Sequence, residues 1–113
     1  MKEIKNRILR NYITPSGVVP FEAWVNGLKD PVTRHRIKTR LDRVEKGNFG
    51  DHRSVGKGVL ELRFDFGAGY RIYFVEEGDV IVILLCGGDK SNQVNDIKTA
   101  KTYWQELLER NHE

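Results

Sequence analysis

Between Val59 and Phe66 the chain alternates cleanly, with Leu60, Leu62, Phe64 and Phe66 on one side and Val59, Glu61, Arg63 and Asp65 on the other. A period of two marks a half-buried strand. Gly67-Ala68-Gly69 supplies a tight connection, after which Tyr70 to Glu76 returns as a second strand. Glu77-Gly78 marks the next turn, and Val80 to Cys86 reads as a third strand. That last run is apolar on both faces, which predicts a place in the middle of a sheet covered on both sides.

Upstream, Ile4, Ile8, Leu9, Tyr12 and Ile13 stand among basic residues, and the β-branched and aromatic content of Lys5 to Ile13 favours another strand. Thr14-Pro15-Ser16-Gly17 breaks it. Pro20 suits a first helical position, and Phe21, Trp24, Val25 and Leu28 follow at helical spacing until Gly27 to Lys29. Asp30 as N-cap and Pro31 as first residue restart the chain as a second helix to Glu45 or Lys46, with Gly47 as its left-handed cap. Asn48 to Gly56 is glycine-rich, polar and reads as irregular. A last helix is expected from about Ser91 or Asn92, with Val94, Ile97, Ala100, Trp104, Leu107 and Leu108 on its apolar face. The predicted order is β-α-α-β-β-β-α. It describes an α+β fold with an antiparallel sheet, an N-terminal αα-hairpin and a C-terminal helix, in a single domain over 1–113.

Net charge is +3 over 113 residues, too small to identify a polyanion partner. Its distribution says more. Arg34, Arg36, Lys38, Arg40, Arg43 and Lys46 lie along the second helix against only Asp42 and Glu45. A solvated face accounts for any one of them; six together also fit a surface facing a polyanion. Cys86 is the only cysteine, which excludes an internal disulfide and a Cys-based zinc site and suits a reducing compartment. His35, His52 and His112 lack ligand spacing, so no metal and no cofactor are expected. No apolar run approaches the roughly 20 residues that span a bilayer, and MKEIKNRILR lacks the apolar core of a signal peptide. A cytoplasmic protein is the expectation.

Register adds a candidate site. A three-residue loop over Gly67 to Gly69 would set Phe66 opposite Tyr70, Leu62 opposite Phe74 and Phe64 opposite Ile72, on one oily face with Ile81, Ile83 and Leu85. The other face would carry Arg63 across from Tyr73 and Asp65 across from Arg71, floored by Val82 and Leu84. Cross-strand Arg–Asp and Arg–Tyr pairs that merely stabilise a sheet are the structural alternative. Lys90, just past the third strand in a glycine-bracketed turn, brings a third cation to the same face. Three cations on one concave surface are costly unless an anion sits there, and a phosphodiester suits the bidentate hydrogen bonding of arginine.

The run Gly47-Asn48-Phe49-Gly50-Asp51, then Gly58 to Arg63, then Gly69-Tyr70-Arg71-Ile72-Tyr73-Phe74, carries a resemblance. With Leu84 to Lys90 and Gln93 to Ile97, it resembles the RelE/ParE toxin superfamily, and within it the phage-derived, HigB-like "addiction module killer protein" branch. The resemblance spans nearly the whole chain, including the Phe21 to Asp30 segment and the basic helix. It implies a type II toxin held inactive by a cognate antitoxin, commonly a helix-turn-helix protein. It also implies metal-independent cleavage of mRNA, commonly on the ribosome, through 2′-OH attack on the adjacent phosphate. Arg71 matches the strand arginine that contacts the scissile phosphate. Arg63 matches the basic position on the preceding strand, and Lys90 falls where such toxins carry a further arginine. Together with Tyr73 these form the expected catalytic set, while Arg36, Arg40, Arg43 and Lys57 are the expected RNA-binding residues.

There are departures. The strand lysines of RelE fall near Val59 and Glu61, and its C-terminal tyrosine falls near Asp96. The general base is therefore open among Tyr73, Asp89 and Asp96. The same gaps keep an alternative in view, a ParE-like member that lacks the nuclease set and poisons DNA gyrase.

Overall fold

The structure, a computed structural model, describes residues 4–112; residues 1–3 and 113 of the expected domain lie outside them. A five-stranded sheet is built from β1 (Ile8–Asn11), β2 (His52–Gly56), β3 (Val59–Arg63), β4 (Arg71–Glu77) and β5 (Ile81–Gly88). Three helices join it: α1 (Pro20–Asn26), α2 (Pro31–Glu45) and α3 (Gln93–Asn111), the last preceded by a short 3-10 turn over Lys90–Asn92. The spatial order is β1-β5-β4-β3-β2.

Two expectations about the sheet are corrected. It is mixed rather than antiparallel, because β1 runs parallel to β5 with Ile8 beside Ile81 and Asn11 beside Leu84. The chain that separates this parallel pair runs through the αα-hairpin and then β2, β3 and β4, well beyond the minimum crossover length. Residues 52–56, expected to be irregular, form an edge strand paired antiparallel to β3 through Ser54 and Leu60. Four of its five residues are exposed, so the strand carries no apolar alternation by which to recognise it.

Helix starts follow the local chemistry. Asp30 accepts a hydrogen bond from the Val32 amide (3.0 Å), satisfying one first-turn backbone donor of α2, and a second from the Thr33 hydroxyl (3.1 Å). Gly47 ends that helix at φ +85°, and a Cβ there would lie 2.2 Å from the Lys5 carbonyl oxygen. Nothing larger than glycine fits while the N-terminal segment crosses that close.

The helical hairpin covers one face of the sheet, where Phe21, Ile37 and Val44 pack on Leu62, Phe64, Ile72, Phe74, Val82 and Leu84. Helix α3 covers the other, with Ala100, Ile97 and Trp104 over Val59, Tyr73, Val75, Ile83 and Leu85. The face expected to carry the cations is thus closed by α3 along most of its length, in keeping with a third strand covered on both sides. Register differs too: the β3–β4 loop holds five residues, since the Phe64 amide bonds the Tyr70 carbonyl at 3.0 Å. Leu60 therefore opposes Phe74, and Arg63 opposes Arg71 rather than Tyr73. A slip of two keeps every side chain on its face, so the alternation survives the error. On β5 the faces are exchanged. A bulge passes from Tyr73 beside Cys86 to Phe74 beside Leu84, which turns Val82 and Leu84 toward the hairpin and Ile83 and Leu85 toward α3.

The C-terminal end of α3 is tied to the residue that follows β1 by Glu106, which accepts from the Tyr12 hydroxyl and pairs with Arg110. Arg110 and then Tyr12 hold the Glu106 carboxyl down to about 2, while burial pushes the Tyr12 hydroxyl up to about 12. A depressed acid stabilises the fold above its ordinary value of 4.5, and that contribution disappears as pH falls through about 2. The melting-temperature gap between wild type and Glu106→Gln is expected to close over that acid range in a thermal melt series. A gap independent of pH would contradict the linkage.

Candidate functional site

Arg63 ends β3 and Arg71 begins β4, directly across from it; Gly88 continues the row on β5, and Lys90 follows two residues later. The Lys90 amide bonds the Ala68 carbonyl (3.3 Å), which draws the β3–β4 loop against the turn that carries Lys90. At Gly69, φ +73°, a Cβ would stand 3.1 Å from the Lys90 Cβ, so the close approach depends on glycine. The result is a cleft of about 420 Å³ lined by Arg63, Arg71 and Lys90 with Asp51, Asp65 and Phe66 among its walls. All three cations expected to converge do so, at the end of the sheet that α3 leaves uncovered.

Their states differ. Arg63 is partly exposed and 4.0 Å from the exposed carboxylate of Asp51, a weak surface pairing. Arg71 is buried to 7% exposure. Its Nη1 donates to the Gly69 (2.9 Å) and Tyr70 (3.1 Å) carbonyls, which fixes the plane of the guanidinium. Its Nε is buried without a hydrogen-bond partner, 3.9 Å from Glu61. Like charges directly opposite on two strands repel, so the Arg63–Arg71 pair needs a counter-charge.

Glu61 provides one. Fully buried, it accepts from Gln93 Nε2 (2.7 Å), Arg53 Nε (2.9 Å) and the Tyr73 hydroxyl (3.1 Å). Burial alone would raise its pKa; the hydrogen bonds from Gln93, Arg53 and Tyr73 outweigh burial and hold the carboxyl below its ordinary value. This residue was not legible as part of the site. The available signal was weak: Glu61 shares its side of the alternating strand with Val59 and falls across from a strand bearing Tyr73, and a carboxylate covered there demands donors nearby.

Tyr73 does not join the cleft. It lies across from Glu61 under α3, wholly buried, and burial and then the Glu61 charge raise its pKa. Of the other side chains considered for proton transfer, Asp89 accepts from the Ser91 amide (2.9 Å) and caps the 3-10 turn. Asp96 packs directly on Gly88, where a Cβ would lie 1.9 Å from its carboxylate. Burial raises the Asp96 pKa against a 3.1 Å hydrogen bond from Asn92, and the charge of Asp89 adds to the rise.

The basic helix divides in two. Arg40 is a clamp: its guanidinium donates to the carbonyls of Arg63 (2.8 Å), Asp51 (2.9 Å) and Phe49 (3.0 Å) and lies over the Phe64 ring. Four of its five N–H donors are spent on the backbone beneath the cleft, leaving one on Nη1 for any other partner. Arg40→Ala is expected to cost about 2–3 kcal/mol, from hydrogen bonds to a charged group and the packing of the alkyl stem. Urea denaturation of this variant and of Arg43→Ala checks it, the latter staying within about 0.5 kcal/mol of wild type as an exposed position. Arg36 and Arg43 are exposed, with Arg36 resting 4.8 Å over Phe66. They line a groove of about 240 Å³ whose floor shares Phe64 to Phe66 with the cleft. Lys57 stands apart at the tip of the β2–β3 turn, past Val59, which is itself four strand steps or roughly 13 Å along β3 from Arg63.

Among the described residues, no cluster of three or more His, Cys, Asp or Glu side chains is placed to hold a metal ion, and no helix is long and apolar enough to cross a membrane. Cys86 is buried, and burial pushes its thiol up to about 12. A thiol so rarely ionised is a poor nucleophile.

A protein of Haemophilus influenzae described only as uncharacterized is 51% identical over 87 residues, which cover 77% of this chain and 88% of the relative. No solved structure matches the chain. Residues 23–109, from α1 to the last turns of α3, match the description Phage derived protein Gp49-like (DUF891), and the span includes every residue of the cleft. The chain belongs to the phage-derived protein Gp49-like family.

Proposed function

We propose that the protein is the toxin of a type II toxin–antitoxin pair in the RelE/ParE superfamily, HigB-like branch, and cleaves mRNA on the ribosome without a metal. One observation carries the reading: Arg63, Arg71 and Lys90 meet in one cleft, with the Arg71 guanidinium held edge-on by two carbonyls. Such a site suits a dianionic, five-coordinate phosphorus better than a ground-state diester, and stabilising charge that develops is where rate is gained.

In the reaction, the 2′-oxygen attacks the adjacent phosphorus and the bond to the 5′-oxygen breaks. A 2′,3′-cyclic phosphate and a 5′-hydroxyl result, the proton of the 2′-hydroxyl being removed and one delivered to the leaving oxygen. The cleft residues bind the phosphate and offset its charge; no proton transfer is assigned to them. The groove beside Arg36 and Arg43 continues the basic surface, so that flanking phosphates meet α2. A small helix-turn-helix antitoxin, occupying the cleft or its approaches, is the proposed protein partner.

The gyrase-poison reading draws support from a different observation. Val59 and Glu61, where the resemblance would place strand lysines, are wholly buried, so β3 offers the cleft Arg63 alone. Induction in a cell carrying an SOS reporter separates the two. The nuclease reading predicts that pulse-labelled protein synthesis stops while the reporter stays silent. An early SOS response with translation continuing would replace it with the gyrase reading.

A further inference from the structure

We infer that Glu61 is a positioning residue: it orients the Arg71 guanidinium, and the segment carrying Lys90, toward an anion in the cleft. The inference rests on reading the cleft as a phosphate site. Its starting point is an accounting problem. Arg71 Nε is the one buried side-chain nitrogen or oxygen without a hydrogen-bond partner among the described residues. An arginine cannot escape that cost by deprotonating, so an opposing charge must stand close. Glu61 Oε1 is that charge, at 3.9 Å.

The carboxylate is itself held by three hydrogen-bond donors. Arg53 on the edge strand binds Oε1 at 2.9 Å, while Tyr73 on β4 and Gln93 bind Oε2 at 3.1 and 2.7 Å. Gln93 is the first residue of α3, and Lys90 opens the 3-10 turn directly before it. One buried side chain therefore fixes two of the three cleft cations relative to β3, whose own end supplies the third. At 3.9 Å the Arg71 contact is a charge attraction without a hydrogen bond, which constrains the direction of Nε while Nη2 keeps its donors uncommitted.

A purely structural role and a positioning role predict opposite results. Removing a negative charge beside Arg71 would, by itself, strengthen the attraction of the cleft for anions. Glu61→Gln keeps the shape and an acceptor oxygen but loses the charge. Inorganic phosphate titrated into the full chain, followed at the Arg71 Nε–Hε resonance, is the test. Wild type is expected to show a saturable shift at that resonance. Glu61→Gln is expected to retain the folded amide spectrum, to lose the wild-type Arg71 frequency, and to bind phosphate about tenfold more weakly, against the electrostatic trend. Unchanged or tighter phosphate binding by a folded Glu61→Gln would overturn the inference. Should that variant not fold, Gln93→Ala loosens the same carboxylate from the α3 side and is expected to move the Arg71 resonance in the same direction; an unmoved resonance would overturn it equally. Because the readout is phosphate rather than cleavage, a protein that binds phosphate as expected but cuts no RNA refutes the nuclease reading and leaves the assignment of Glu61 standing.

Discussion

Arg71→Ala is expected to slow single-turnover cleavage of mRNA on programmed ribosomes by about 10²–10³-fold, the loss of about 2.7–4 kcal/mol seen when one preorganised donor to a developing oxyanion is removed. The size follows from the setting. Arg71 is 7% exposed, its Nη1 is fixed by the Gly69 and Tyr70 carbonyls, and no reorganisation is needed when charge builds on the phosphate. Arg71→Lys is expected to recover little, since a single ammonium cannot keep both carbonyl contacts and also present a pre-oriented planar donor to a phosphate. Arg63→Ala is expected to cost less, its side chain being partly exposed and its charge screened. A rate within threefold of wild type for a folded Arg71→Ala would remove the cleft from the mechanism.

Phe74→Ala is expected to destabilise the fold by about 3–5 kcal/mol, the range for truncating a large buried aromatic. Phe74 is 1% exposed at the β4 bulge, opposite Leu60 on one side and Leu84 on the other, and its ring meets Phe49 edge-on at 5.6 Å. Phe49 belongs to the segment whose carbonyl Arg40 binds, so the hole opens beneath the clamp as well. Against a total of about 5–15 kcal/mol for a domain this size, the loss is a large fraction of stability. Urea denaturation should show a lower midpoint at unchanged slope. A change below about 1 kcal/mol would mean that the bulge does not pack as described.

The contrast between legible and illegible features has physical causes. The strand at Val59 to Arg63 announced itself because one of its faces is wholly apolar while the other carries Glu61 and Arg63, and the three cations could be gathered because a register slip of two leaves faces unchanged. Lys90 was placed by chain continuity, directly after a strand of unmistakable apolarity. What could not be read was partnership. Asp65 and Phe66 continue the alternation of β3, so nothing marks the five-residue loop. The edge strand His52–Gly56 is solvated and has no pattern. Arg40 and Arg43 look alike in sequence; only the nearby carbonyls of Phe49, Asp51 and Arg63 make one a clamp and leave the other exposed. Tyr73 was drawn to the site by its strand and removed from it by α3. Glu61 was passed over because a glutamate in an alternating strand looks like an outward residue until its donors, Arg53 and Gln93, arrive from elsewhere in the chain.

Mapping of 5′ ends in cellular mRNA shortly after induction, with wild type and Arg71→Ala compared at equal soluble expression, is the most direct measurement of what the cleft does. Wild type should generate new 5′-hydroxyl ends within translated reading frames as growth stops, and Arg71→Ala should generate none while growth continues. Intact transcripts in wild-type cells whose growth has nevertheless stopped would contradict a phosphodiester-cleaving cleft.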